Sequence, residues 1–175
     1  FSGETIKPAK GYKWVELAEP LVVTNESNGK TNTYYYQIVE GEDLGYKEVD
    51  GGYEVYSAQG MQWLAEQVNG GKDFAGETIV LADNMNLEGI AWTPIGNCSR
   101  SQTTGAAFRG TFDGNGKVIS NLNCALDADN FGAGLFGLLD GATVRNVTID
   151  SGEISNSADC AGAICGVMVG ESVIE

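Results

Sequence analysis

The feature that most constrains this chain is a repeat of short apolar strands and glycine turns that begins near residue 78. Residues 117–124 align with residues 143–149 at an offset of 25, which places Asn121 over Asn146. A glycine that stands two residues before a large apolar residue recurs in three places: Gly110, Gly134 and Gly162. A small unit made only of strands cannot bury its own apolar face, so each unit must stack on its neighbours. The repeat therefore predicts a β-solenoid.

The predicted fold class is all-β, a right-handed parallel β-helix. The alternative is a β-sandwich, which would place a strand every ~8–12 residues. A sandwich does not explain why the units repeat in register or why Asn121 and Asn146 recur at one place in them. Asparagine tolerates the left-handed conformation of a solenoid corner, and its amide can bond to the equivalent amide one coil away. We therefore assign both asparagines a structural role and expect them to lie one coil apart.

The first 50 residues differ from the rest. They contain β-rich runs at 12–17, 21–24 and 33–39, and an Asn28-Gly29 turn separates the last two. Such a pattern predicts an N-terminal β-hairpin or small-sheet appendage. Residues 51–175 should hold one N-terminal capping α-helix and the first coils of the solenoid. That helix is predicted to start after Ser57 as N-cap and to end at Gly70-Gly71.

The acidic net charge of the chain disfavours some classes of binding partner. The chain has 10 basic and 24 acidic residues, a net charge of −14. Nucleic acid and anionic membrane surfaces are disfavoured, because both are bound through Lys and Arg. No run of about 20 apolar residues is present, so we expect membrane contact only through an anchor outside this chain. The chain begins at Phe1, and we expect a signal or anchor upstream of it.

The cysteines and two acidic loop residues are the candidate metal ligands of the chain. The four cysteines form no CxxC pair and the chain has no histidine, so zinc-site spacing is not met. Three disulfide pairings stay open, and thiols in a solenoid core are the simpler interpretation; these cysteines are Cys98, Cys124, Cys160 and Cys165. Asp127 and Asp129 are weak candidates for calcium, but the further ligands of a calcium loop are missing. We predict no other cofactor.

The charged residues fit structural roles better than catalytic ones. A lyase site would need an Arg or Lys base near clustered carboxylates, but neither Arg109 nor Arg145 lies beside an acidic cluster in sequence, and neighbouring coils add no obvious one. A glycosidase needs two carboxylates; the candidates are Asp113, Asp127, Asp129 and Asp140. Turn and solubility roles are favoured for all four. The sequence therefore predicts that the chain is not an enzyme.

Ligand binding would use the outward faces of the strands. Exposed aromatic rings there could stack on sugar rings, and the weak candidates are Tyr35, Trp92 and Phe131, although core packing is favoured for Trp92 and Phe131. Tyr35 lies between Tyr34 and Tyr36, and side chains alternate along a strand. At least one of these three tyrosines is therefore expected to be exposed.

Several motifs carry a family resemblance. They are Trp-Thr-Pro-Ile-Gly at 92–96, Gly-Thr-Phe-Asp-Gly-Asn-Gly at 110–116 and Gly-Leu-Phe-Gly at 134–137. Over residues 50–175 the chain resembles GLUG-motif proteins, which are secreted or surface-displayed proteins of gut-dwelling bacteria with a pectate-lyase-like fold. The resemblance implies secretion or display at the bacterial cell surface (outer membrane) and adhesin behaviour. It supplies no catalytic residues.

The functional prediction is a non-catalytic cell-surface or secreted adhesion or scaffold module that binds extracellular glycans or host matrix proteins. The alternative is a polysaccharide-active β-helix enzyme, a lyase or glycosidase, or its accessory carbohydrate-binding module. Fold alone does not decide between these classes. We also expect the last edge of the solenoid to be covered by further coils or by another chain, because open sheet edges are prone to unwanted pairing.

Overall fold

A computed structural model describes residues 12–25, 27–40, 43–97, 105–126, 132–157 and 160–175. The chain divides into two compact units, residues 1–43 and residues 44–175. The first unit contains strands β1 (Tyr12–Thr24) and β2 (Thr31–Glu40), which pair in antiparallel fashion. Their register shifts between Glu16 and Leu21. The predicted N-terminal hairpin is therefore confirmed.

The second unit begins with the antiparallel strands β3 (Tyr46–Val49) and β4 (Gly52–Val55), followed by helix α1 (Ala58–Asn69). The next strands are β5 (Thr78–Leu81), β6 (Met85–Asn86), β7 (Thr111–Asp113), β8 (Val118–Ser120), β9 (Leu122–Leu126) and β10 (Phe136–Asp140). The last strands are β11 (Thr143–Arg145), β12 (Thr148–Ile149), β13 (Gly152–Asn156), β14 (Cys165–Val169) and β15 (Val173–Ile174).

These strands stack in parallel from coil to coil. One sheet contains β4, β5, β7, β11 and β15 in that order, with β3 at its edge. The chain therefore passes around the solenoid four times between the first and last of these parallel strands. Three further stacks form the other sides: β6-β8-β12, β9-β13 and β10-β14. The predicted parallel β-helix with one capping helix is confirmed.

A column of inward side chains forms the core. Ile79, Phe112 and Val144 face one another in the register of successive strands, and all three are fully buried. Met85 and Ile119 form a second buried column one corner further along. Short strands place one or two apolar side chains inside at each level, and burial of those side chains drives the coils together.

The coil length differs from the predicted one. Ile119 pairs with Ile149, 30 residues later, and Val144 pairs with Phe112, not with Ile119. Asn121 and Asn146 are therefore not one coil apart, and the offset of 25 residues was wrong. Asn121 follows β8, whereas Asn146 follows β11, at different corners of successive coils. The error arose because both corners use the same pattern, an apolar strand ended by a left-handed asparagine with φ of 57° and 54°.

Helix α1 begins and ends where the sequence indicates. The Ser57 hydroxyl accepts a hydrogen bond from the Gly60 N–H at 3.3 Å, which confirms the N-cap. After the helix, Gly71 has φ of 104°, a conformation suited to glycine. The buried face of the helix joins the same core as the strands; its residues are Met61, Leu64, Ala65 and Val68. Within the described part of the chain, no helix is long and apolar enough to cross a membrane.

Candidate functional site

Two adjoining cavities form a groove on the surface of the second unit. The first has a volume of about 370 Å³ and lies between the exposed edge of α1 and the segment 90–93. The second has a volume of about 310 Å³ and lies over β9 and β13. Ala91 and Trp92 line both cavities, and we call the pair the Ala91 groove. The remaining lining residues are Gln62, Ala65, Glu66, Asn69, Ile90 and Thr93 in the first, and Asn123, Cys124, Ala125, Glu153 and Ser155 in the second.

The floor of the second cavity follows from strand alternation. Leu122 and Cys124 of β9 point into the core, so Asn123 and Ala125 between them face outward. β13 repeats this arrangement, and its exposed residues Glu153 and Ser155 lie beside Asn123 and Ala125 in register. Small side chains thus alternate with polar ones on the outer surface, which leaves a shallow depression.

The backbone beneath the groove is already paired. Asn123 bridges in parallel to Ala91 on one side, and the Trp92 N–H donates to the Asn123 carbonyl at 2.8 Å. On its other side β9 pairs with β13, and the Asn123 side-chain oxygen accepts from the Glu153 N–H at 3.0 Å. Recognition over β9 therefore depends on side chains, because β9 is paired on both sides, whereas β13 pairs only with β9 among the described strands.

The wall near α1 is held by amide side chains. Asn69 donates to the Pro94 carbonyl at 3.0 Å and accepts from the Asn97 amide at 3.0 Å. These bonds fix the end of the helix against the segment that forms the opposite wall. Gln62 and Glu66 lie one helical turn apart and are both exposed. Their polar ends are thus placed on the rim of a wall whose position is fixed.

The Trp92 side chain is buried beside the groove and offers no exposed ring on which a sugar could stack. Its side chain is only 3% exposed, and its indole N–H donates to the Leu135 carbonyl at 3.2 Å. The prediction that Trp92 offers an exposed ring to sugars is therefore corrected. The physical reason is that burial of a large indole with its N–H satisfied stabilises the core more than exposure would.

Other predicted ligand residues lie elsewhere. Tyr35 is in β2, where it is 58% exposed, and Tyr34 and Tyr36 are exposed as well. Tyr35 belongs to the first unit, so its role in binding stays a prediction. Phe131, Asp127 and Asp129 lie outside the described residues, and the calcium prediction on those aspartates is not tested. In the described part of the chain, no group of three or more acidic or cysteine side chains is placed to hold a metal ion.

Asp113 is held by a neighbouring coil. Its carboxylate pairs with Arg145 Nε at 2.9 Å and accepts from the Asn146 amide at 3.0 Å and the Asn115 N–H at 2.8 Å. Burial by itself would raise the pKa of Asp113, but these hydrogen bonds together with Arg145 lower its pKa below the usual value. The sequence indicates no obvious acidic cluster beside either arginine; the register places one carboxylate, that of Asp113, beside Arg145.

Arg109 forms a second inter-coil cluster. Its Nε donates to Asp140 at 3.0 Å, and its Nη1 lies 3.3 Å from Asp73. The hydrogen bond to Asp140, followed by that to Asp73, raises the pKa of Arg109. Both candidate carboxylates of the described chain, Asp113 and Asp140, are thus engaged by arginine, an arrangement that favours a structural role.

Cys124 is the thiol nearest to the groove. Its side chain is buried, and burial raises the pKa of its thiol, partly offset by the Gly134 backbone. Cys124 forms no disulfide, and neither does Cys160. The interpretation of core thiols therefore fits Cys124, whereas Cys98 lies outside the described residues.

Of the residues that line the groove, sequence reasoning named Trp92 as a ligand candidate and missed the others. The alternation at residues 122–126 and 152–156 could have placed Asn123, Ala125, Glu153 and Ser155 on an outer face. Alignment of these two segments needs the 30-residue register, which the offset of 25 concealed. The contribution of α1 has no local sequence signal, because it depends on how the helix packs against the segment 90–93.

Comparison with known proteins adds one solved structure. No protein-family model matches the chain, and no curated protein matches it. The chain is similar to a crystal structure described as a putative immunoglobulin A1 protease from Bacteroides ovatus, with 19% sequence identity and a TM-score of 0.50. The match covers 70% of this chain and 33% of that one, so this chain spans about a third of the length of that protein.

This comparison bears on two predictions. The family comparisons do not show membership of the GLUG-motif proteins, so that resemblance stays a prediction. The prediction that the chain is not an enzyme is contradicted by the description of this fold neighbour as a putative immunoglobulin A1 protease. The chain is a parallel β-solenoid, similar in fold to a bacterial protein that is described in this way.

Proposed function

We propose that this chain is an exported bacterial binding module that holds an extended glycan in the Ala91 groove. The observation that carries the proposal is the groove itself, two adjoining cavities with polar side chains over a floor of Ala91, Ala125 and Ser155. Amide, carboxylate and hydroxyl groups are suited to sugar hydroxyls, which both donate and accept hydrogen bonds. Secretion or surface display is part of this proposal, and the GLUG-motif resemblance supports it.

The paired backbone favours a glycan over a peptide. Extended peptides commonly add to an open strand edge through main-chain hydrogen bonds. Beneath the groove, β9 is paired to Ala91 on one side and to β13 on the other. Side-chain recognition across a paired sheet surface suits a polymer whose hydrogen-bonding groups project all around it, as the hydroxyls of a glycan do.

A second candidate function is catalytic. The description of the solved neighbour as a putative immunoglobulin A1 protease favours it, and Glu66 and Glu153 place carboxylates at the same groove. In that case a bound polymer would be shortened over time. The same binding experiment separates the two candidates if the products are analysed for cleavage after prolonged incubation.

The experiment is an array of glycans and host matrix proteins probed with the purified chain, with and without calcium. The proposal expects saturable binding to a set of related glycans. Loss of that binding on chelation of calcium would direct attention to Asp127 and Asp129. A parallel Tyr35→Ala variant tests the hairpin tyrosine. Absence of glycan binding, or binding lost only with Tyr35→Ala, would remove the groove as the site.

A further inference from the structure

We infer that the Ala91 groove selects amine-bearing glycans, chains of hexosamine with free amino groups, over neutral and acidic chains. This inference rests on the proposed function and names the ligand class of the same site. The charges of the side chains around the two cavities support it.

Each cavity contains one exposed carboxylate. Glu66 of α1 lines the first cavity and Glu153 of β13 lines the second, and no described lining residue is a lysine or arginine. The two carboxylates come from different elements on either side of Ala91 and Trp92. An extended chain lying along the groove would therefore pass both of them.

Neither carboxylate forms an ion pair with another of the described residues. The ion pairs between described residues join Lys47, Lys72, Arg109 and Arg145 to other acidic residues, and neither Glu66 nor Glu153 is in one of them. The chain as a whole carries a net charge of −14. The two lining carboxylates and the net charge favour cationic ligands over anionic ones.

The neutral part of the lining explains why a sugar and not a simple cation is bound. Asn123 and Ser155 offer hydrogen-bonding groups to hydroxyls beside Glu153. An ammonium group on the sugar ring would add a charge-assisted hydrogen bond to a carboxylate, and such bonds are shorter and stronger than neutral ones. Among glycans built from the same sugar ring, the groove then selects those that carry a free amino group.

The test compares four hexamers by titration calorimetry: glucosamine, N-acetylglucosamine, galacturonate and lysine. The pH is kept where the sugar amine is protonated, and each titration is run at low and high salt. We expect the glucosamine hexamer to bind about tenfold or more tightly than its N-acetylated form at low salt, with the difference shrinking at high salt. The galacturonate hexamer should bind most weakly.

Two double variants locate the effect. Glu66→Gln with Glu153→Gln should abolish the preference for the free amine, so that this variant binds the glucosamine and N-acetylglucosamine hexamers within about threefold of each other. The matched control, Glu88→Gln with Glu171→Gln, removes two exposed carboxylates that do not line the groove and should keep the preference.

The outcomes separate the inference from the proposed function. Equal binding of both glucosamine hexamers, or a preference that survives in the groove double variant, would overturn the inference while the glycan site stands. Lysine hexamer binding as tight as that of glucosamine would also overturn it, because charge alone would then suffice. If no sugar hexamer and no array glycan binds, the proposed function itself fails.

Discussion

The side-chain amide of Asn121 donates a hydrogen bond to Asn86 Oδ1, 2.9 Å away in the preceding coil. Asn86 pairs with Ser120 in register, so the two asparagines meet at the same corner. Asn121 also has a left-handed backbone with φ of 57°. This pair is the contact between asparagine amides of neighbouring coils that the sequence predicts, but it joins Asn121 to Asn86 and not to Asn146.

Replacement of Asn121 should separate its two roles. Asn121→Ala loses the amide contact and puts alanine, which tolerates the left-handed region less well than asparagine, at this position, so we expect a loss of about 1–3 kcal/mol in the free energy of unfolding. Asn121→Gly loses the contact without that strain and should be destabilised less. Urea denaturation measures both. Equal losses would show that the left-handed backbone contributes nothing.

Gly114 tests how closely the coils stack. A Cβ at Gly114 would lie 2.3 Å from the Asn146 carbonyl oxygen of the next coil, whereas a Cβ at Gly116 would meet open space. Gly114→Ala should therefore cost about 3 kcal/mol or more, since the backbone of a coil must shift. Gly116→Ala should cost only about 1 kcal/mol, because its strain is confined to φ of 67°. Thermal unfolding of the two variants gives the comparison, and the reverse order would contradict this stacking.

The Asp113 carboxylate should make the free energy of unfolding depend on pH in the acidic range. Its folded pKa is lowered, so its contribution is fully present above the unfolded value of about 3.9 and is lost as the pH falls through the folded pKa. Asp113→Asn should destabilise the protein at neutral pH by about 0.5–1.5 kcal/mol, because Arg145 is half exposed and the pair is partly screened. The deficit should shrink below about pH 4. Urea denaturation at several pH values checks this, with Asp83→Asn at an exposed site as control; a deficit constant with pH would contradict it.

Trp92 should matter for stability and little for binding. Trp92→Phe removes the indole N–H that bonds to the Leu135 carbonyl and leaves a small void, so we expect a loss of about 1–3 kcal/mol. Glycan affinity should change by less than about threefold, because the ring is buried. A large drop in affinity with unchanged stability would restore Trp92 as a ligand-stacking residue.

The fold class could be predicted from local sequence patterns, and the structure contains the elements that these patterns indicate. Ser57 with an apolar stripe after it indicates a capped helix, and strand-only repeats that cannot bury themselves require stacking. The register could not be predicted, because Asn121 and Asn146 end similar strands at different corners. The ion pair between Asp113 and Arg145 and the row of Asn123 beside Glu153 depend on that register. The part of the site on β9 and β13 was therefore hidden even though both strands are recognisable in the sequence.

The most direct measurement is calorimetric titration of the best glycan from the array against Ala125→Trp, which fills the floor of the groove. Ala163→Trp is the matched control, at an exposed site that does not line the groove, and Ser155→Trp is a second blocking variant in case Ala125→Trp fails to fold. The account predicts at least about a tenfold loss of affinity for the folded blocking variants and wild-type affinity for the control. Wild-type affinity in a folded blocking variant would contradict the central claim that the Ala91 groove binds the glycan.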